Sequence, residues 1–124
     1  MTEPVYLLDS NIAIYLLKGE AAAAAARISA SRLGSIVTSS ICLGEMLIGL
    51  RPGERQMLDR LLVQIDVMPF DAAAARCYAT LPFKRRGFDR LIAAHALALG
   101  LTVITANPDG FADVSGLSVE DWTR

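Results

Sequence analysis

Apolar residues come in short bursts along this chain, each ending in polar or turn-forming residues. Val5-Tyr6-Leu7-Leu8 stops at Asp9-Ser10-Asn11, the pattern of a strand buried on both faces that opens into a helix-capping loop, with a helix starting near Asn11. Beyond Lys18-Gly19 and Glu20, the alanines from Ala21 to Ala26 predict a second helix that runs through Arg27 and Ile28 and stops by Gly34. Ser35 to Ser39 reads as another strand, and Ser40 as the cap of a helix bearing Ile41, Leu43, Glu45, Met46, Leu47 and Ile48. Arg51-Pro52-Gly53 breaks that helix. A further helix from Glu54 to about Gln64 leads into Val67-Met68-Pro69-Phe70, where proline marks an edge or a strand end. Asp71 then caps a helix through Leu81, and Pro82 to Gly87 forms a basic loop. Phe88 to Leu99 is a helix closed by Gly100, and Leu101 to Thr105 is a buried strand. Asn107-Pro108-Asp109-Gly110 is turn chemistry, and Leu117 to Glu120 is a last short strand before Trp122.

Strands alternating with helices imply βαβ crossovers and a mainly parallel sheet covered on both faces, an α/β architecture of three layers. No linker or repeat interrupts it, so residues 1–124 read as a single domain. In open α/β sheets ligands bind beyond the carboxyl ends of the strands. That edge is where Asp9, the start of the Glu45 helix, the start of the Asp89 helix, Asn107 and Asp109 would gather.

Composition narrows the chemistry. Hydrophobic residues make up 53% and charged residues 20%, which supplies a packed core and argues against disorder. The net charge of −1 excludes a wholly basic nucleic-acid coat, so contact with a polyanion must come from a local patch or a bound cation. Cys42 and Cys77 lack zinc-ligand neighbours and read as buried reduced thiols. The first residues do not resemble a signal peptide, and no apolar run approaches the ~20 residues that span a bilayer, so a cytoplasmic protein without a membrane contact is expected.

Three acids stand in apolar surroundings. Asp9 follows four apolar residues, Glu45 shares a helical face with Ile41 and Ile48, and Asp89 shares one with Ile92, Ala93 and Ala96. Each reads as an inward-facing charge that must cap a helix, pair with a base or bind a metal. Carboxylates without matching lysines or histidines suit a hard cation such as Mg²⁺ or Mn²⁺, and such a site handles phosphodiesters. His95, within Ala94-His95-Ala96, reads as a helix-face residue with one hydrogen bond and stays outside the site. Lys84, Arg85, Arg86 and Arg90 cluster before and inside the Asp89 helix, either as a solvated basic loop or as a grip on RNA phosphate. The helices from Ile41 to Leu50 and from Met57 to Ile65 carry more large aliphatics than one face needs, which leaves apolar surface for an interface.

These residues resemble the PIN domains, specifically the VapC-type toxins of toxin–antitoxin pairs. The likeness rests on Leu7-Leu8-Asp9-Ser10-Asn11, on Ser39-Ser40-Ile41 through Glu45 with Gly49, on Asp89-Arg90-Leu91-Ile92-Ala93-Ala94, and on Thr105-Ala106-Asn107 leading to Phe111. It extends to the closing Gly116-Leu117 and Trp122. The resemblance implies a three-layer α/β/α PIN-like fold and Mg²⁺- or Mn²⁺-dependent endoribonuclease activity on structured RNA such as transfer or ribosomal RNA. It also implies a homodimer, inhibition by a cognate antitoxin, and contact with operator DNA only through that antitoxin. Asp9, Glu45 and Asp89 would be the acidic ligands, with Asn11, Thr105 and Asn107 in support.

Two positions depart from the family pattern. Ser10 stands where threonine is more usual, and both supply a hydroxyl. Gly110 stands where the family places an acid just before the phenylalanine; Asp109 lies one residue earlier and either serves in its place or belongs to an ordinary turn. Two other classes remain open. A Mg²⁺-dependent phosphohydrolase or receiver domain would also put an aspartate after the first strand, but Asp9-Ser10-Asn11 lacks a second aspartate and no lysine follows the late strand. An inactive PIN domain that only binds a partner is the other, and Gly110 is its best support.

Overall fold

The computed structural model describes residues 3–82 and 87–123. Its strands are β1 (Tyr6–Leu8), β2 (Ile36–Ser39), β3 (Asp66–Met68), β4 (Thr102–Ile104) and β5 (Val119–Glu120), and they form one sheet in the order β3-β2-β1-β4-β5. Every neighbouring pair is parallel, with Leu7 opposite Val37 on one side and Val103 on the other. The helices are α1 (Ser10–Leu17), α2 (Ala22–Ala30), α3 (Ser40–Ile48), α4 (Arg55–Gln64), α5 (Ala72–Thr80) and α6 (Phe88–Leu99), and a 3₁₀ turn covers Pro108–Phe111.

Successive side chains on a strand point to opposite faces, yet Leu7 and Leu8 are both fully buried, as are Val103 and Ile104. Both faces of the sheet are therefore covered, which makes the α/β/α layering expected above. The edge position of β3 also agrees with the proline that follows it. Ile12 and Ala13 of α1, Met46 of α3 and Ile92, Ala93 and Ala96 of α6 complete the core with Phe111 and Trp122. Gly100 closes α6 in the left-handed conformation (φ 71°) that favours glycine.

Strand order places the site. From β1 the chain moves outward through β2 to β3 on one side, and later through β4 to β5 on the other, so the order reverses at β1. Crevices outside the carboxyl ends of strands at such a switch point are where open α/β sheets bind ligands. Asp9 is the first residue after β1.

Local details differ from the sequence expectation. Ser39, not Ser40, caps α3: β2 runs on through Ser39, whose backbone is extended and whose Oγ accepts the Ile41 N–H at 3.1 Å. Ser40 Oγ instead accepts the Phe70 N–H at 3.0 Å, tying α3 to the β3–α5 connection. The inward face of α3 is Cys42 and Met46, whereas Ile48 is 85% exposed. Glu45 is consequently half-buried at a helix flank rather than on a core face. Cys42 is buried as expected, but Cys77 is only half-buried, and both are free thiols.

Candidate active site

Asp9 is the last residue before α1 and only 1% exposed. Its backbone N–H donates to the Ile104 carbonyl (2.9 Å), fixing it to the neighbouring strand end, and its Oδ1 accepts the Ser10 N–H at 2.8 Å. Oδ2 accepts the Thr105 hydroxyl at 2.8 Å, and Thr105 Oγ1 in turn accepts the Asn107 N–H at 3.0 Å. Asn11 Oδ1 accepts the Ala106 N–H at 3.2 Å and lies 3.3 Å from Thr105 Oγ1. The residues after β1 and those after β4 thus form one polar network, and Asp9, Asn11, Thr105 and the Asn107 backbone are brought together in it.

Glu45 joins from α3, its Oε1 accepting the Ser10 hydroxyl at 2.7 Å. Asp89 lies in the first turn of α6, at the exposed end of a helix whose following turns are core. It is therefore not an inward-facing charge of the kind its spacing from Ile92 and Ala93 suggests. Its Oδ2 packs against Gly110 so closely that a Cβ at position 110 would sit 2.6 Å from it. Burial pushes the Asp9 carboxyl up to about 6 from its ordinary 3.8, the negative charges of Asp89 and Glu45 add to the rise, and the hydrogen bonds from Thr105 and Ser10 oppose it. Burial also lifts the Cys42 thiol to about 12, with Asp9 contributing, so it stays protonated.

Among the described residues no three His, Cys, Asp or Glu side chains are already gathered as a metal-holding group. Asp9 and Glu45 are linked through Ser10, and Glu45 and Asp89 line one cavity of about 170 Å³ with Gly87, Phe88, Arg90, Gly110 and Asp113. The donor set fits a hard divalent cation all the same. Every donor is oxygen, and Asp9 is an ionisable carboxyl that burial and two neighbouring acids hold against ionisation, which a cation between them would relieve.

Asp109 is exposed in the 3₁₀ turn and is not among the cavity's lining residues. The acid of this segment that does line the cavity is Asp113, which sequence spacing overlooked although it follows Gly110 by three residues, one helical turn. Arg90, grouped by sequence with the basic loop, is 5% exposed, because its place on α6 turns it under the 3₁₀ segment. Its Nη2 donates to Asp113 Oδ2 at 2.5 Å. Arg90 Nε and Nη1 have no partner among the described residues, an omission that ordinarily costs about 1–3 kcal/mol per group. Lys84, Arg85 and Arg86 lie outside the described residues. His95 is buried, with Nδ1 2.8 Å from Ser39 Oγ and a further hydrogen bond to the Pro69 backbone, and burial lowers its pKa. It braces the start of α3 against the β3–α5 connection and makes no contact with the acids.

The PIN domain family model matches residues 6–117. The chain is 33% identical to the tRNA(fMet)-specific endonuclease VapC of Shigella flexneri, over 95% of this chain and 98% of that protein. It is 26% identical to Ribonuclease VapC2 of Rickettsia felis, over 97% and 99% of the two chains. Its fold overlays the crystal structure of VapBC2 from Rickettsia felis bound to a promoter DNA fragment with a TM-score of 0.85 at 26% identity, covering 95% of this chain and 98% of that one. The structure of VapBC-1 from nontypeable Haemophilus influenzae gives 0.78 at 26% identity, covering 97% and 99%.

Proposed function

The chain belongs to the PIN domain family, and from that premise we propose that it is a divalent-metal-dependent endoribonuclease, the toxin of a toxin–antitoxin pair. The observation that carries this reading is Asp9: a carboxyl at the switch point of a parallel sheet, held against ionisation first by its burial and then by the charges of Asp89 and Glu45. Asp9, Glu45 and Asp89 would hold Mg²⁺ or Mn²⁺. Bound there, the cation supplies an activated water and neutralises charge on the departing oxygen. Thr105 fixes one Asp9 oxygen, Ser10 fixes one Glu45 oxygen, and Asn11 and Asn107 lock the β4 end that carries Thr105, so the carboxylates are oriented before substrate arrives. Lys84, Arg85 and Arg86, basic in sequence, would grip RNA backbone.

The Shigella flexneri relative is a tRNA(fMet)-specific endonuclease, and structured RNA of the transfer or ribosomal class is the substrate proposed for this chain, which implies action in the cytoplasm. Among the described residues no helix is long and apolar enough to cross a membrane. The VapBC neighbours are complexes with antitoxins, some bound to DNA, and an antitoxin partner with operator contact through it is proposed here too. Exposed Leu47 and Ile48 on α3, with Met57 and Val63 on α4, supply apolar surface for that partner or for a second copy of the chain.

One observation favours a second reading, a PIN domain that binds RNA without cutting it: Gly110 provides no carboxylate, and Asp109 stands away from the cavity. Incubating the purified chain with unfractionated transfer RNA decides between them. Cleavage with Mg²⁺ or Mn²⁺ that stops in excess EDTA is expected. Undiminished cutting in EDTA refutes the metal-dependent reading, and intact RNA with every cation tried, despite binding, establishes the second.

A further inference from the structure

A buried guanidinium normally finds acceptors for all its donors, and Arg90 does not. Its side chain is 6% exposed and only Nη2 is engaged, by Asp113. Nε and Nη1 are the only buried side-chain nitrogens or oxygens among the described residues that lack a partner. Arg90 lines the cavity it shares with Glu45, Asp89, Gly110 and Asp113. The same cavity is lined by Gly87 and Phe88 at the start of α6, a helix of 12 residues that no side chain among the described residues caps. An uncapped helix start and a buried, incompletely bonded arginine are both anion-seeking, and here they meet beside the acids assigned to the reaction.

We propose that Arg90 is a phosphate anchor, taking an oxygen of the RNA backbone in this cavity, with Asp113 as the positioning residue that holds the guanidinium in place; the inference rests on the ribonuclease reading above. The planar fork of arginine suits a phosphate, and with Nη2 committed to Asp113 the two remaining nitrogens are left for it. Glu45, Asp89 and Asp113, which line the same cavity, repel a phosphate until part of their charge is compensated. The anchor therefore engages RNA only when the acidic site is neutralised, which separates it from a surface arginine that would attract any polyanion.

The test measures binding without cleavage. In a Glu45→Gln, Asp89→Asn background, which neutralises the two cavity acids other than Asp113 and disables cleavage, fluorescence anisotropy in EDTA follows unfractionated transfer RNA binding across a KCl series. Adding Arg90→Gln is expected to weaken binding and to lower the slope of log K against log[KCl] by about 0.7–0.9, the signature of one lost phosphate contact. Asp113→Asn instead keeps an amide oxygen to hold Nη2 while removing a repelling charge, so it is expected to tighten binding with the slope unchanged. A purely structural ion pair predicts that both substitutions act alike, so an unchanged slope in Arg90→Gln, or weakening by Asp113→Asn of the same size, overturns the proposal. If Arg90→Gln does not fold, Arg90→Lys keeps the charge and should keep the slope with reduced affinity; a folded Arg90→Lys that loses the slope overturns it as well. Absence of any transfer RNA binding, together with no cleavage by the wild type, refutes the ribonuclease reading and the anchor with it.

Discussion

Replacing Asp9 with asparagine should make the metal-free protein more stable at neutral pH. The rise of the Asp9 carboxyl from 3.8 to about 6 means that the folded state holds this proton more tightly than the unfolded chain does. The contribution of Asp9 to stability is therefore greatest below pH 4, falls as the pH rises toward about 6, and carries the whole penalty above that. At about 1.4 kcal/mol per pH unit, the penalty of ionising Asp9 is about 3 kcal/mol. Asparagine removes it while keeping an acceptor for the Ser10 N–H; its amide replaces Oδ2, and Thr105 can turn its hydroxyl toward Asn11 Oδ1, 3.3 Å away. Allowing about 1 kcal/mol for that rearrangement leaves a net gain of about 2 kcal/mol, which in a chain of 124 residues raises Tm by about 6–8 °C.

Calorimetry of both proteins in EDTA, from pH 4 to 8, measures the difference in Tm and cancels His95, whose lowered pKa acts in the opposite sense by removing stability on acidification. The difference should shrink as the pH falls, vanish at about pH 4.5 and turn slightly against the asparagine protein at pH 4, where only the rearrangement cost outlasts the penalty. With saturating Mg²⁺ the order should reverse, because only the wild type gains from binding. A lower Tm for metal-free Asp9→Asn at pH 7.5, or a difference that ignores pH, would refute the reasoning and make Asp9 a structural cap.

Gly110→Ala places a methyl group 2.6 Å from Asp89 Oδ2 and displaces that carboxylate, so cleavage should drop about a hundredfold with little change in melting, whereas Asp109→Ala should cut at nearly the wild-type rate. Wild-type kinetics in Gly110→Ala would remove Asp89 from the site. Ser39→Ala takes away both the α3 cap and the His95 partner, and urea denaturation should show a loss of about 1–2 kcal/mol. Ile48→Lys, at a position 85% exposed, should leave stability within about 0.5 kcal/mol. Light scattering should find it monomeric, and it should fail to co-purify with the antitoxin; a retained dimer with a retained complex would move both interfaces off α3.

The sheet was legible in the sequence because strands covered on both faces leave unbroken apolar runs such as Leu7-Leu8 and Val103-Ile104, and because Asp9 and Asp71 sit at helix starts where a carboxylate has a local job. Asp9 was legible in both place and burial, whereas Glu45 is only half-buried and Asp89 is exposed at the start of α6, unlike the inward positions their spacing suggests. Helix α3 is apolar nearly all round, so periodicity does not say whether Ile41 and Ile48 or Cys42 and Met46 face the core, and the structure chose the second pair. The Arg90–Asp113 pair was out of reach for a different reason. It joins residues 23 apart through the packing of a 3₁₀ turn on α6, and sequence shows only that a basic residue stands in a basic stretch. Gly110 belongs to the same packing. Its bare Cα lets the Asp89 carboxylate sit against the turn, and the acid that lines the cavity comes one turn later, at Asp113, where it is bonded to Arg90. Gly110 thus puts no charge beside Asp89 without emptying the segment of acid, and on the proposed metal reading cation affinity would rest on Asp9, Glu45 and Asp89. Asp113→Asn should accordingly leave the affinity for Mn²⁺, titrated by calorimetry, essentially unchanged, whereas Asp89→Asn should abolish it.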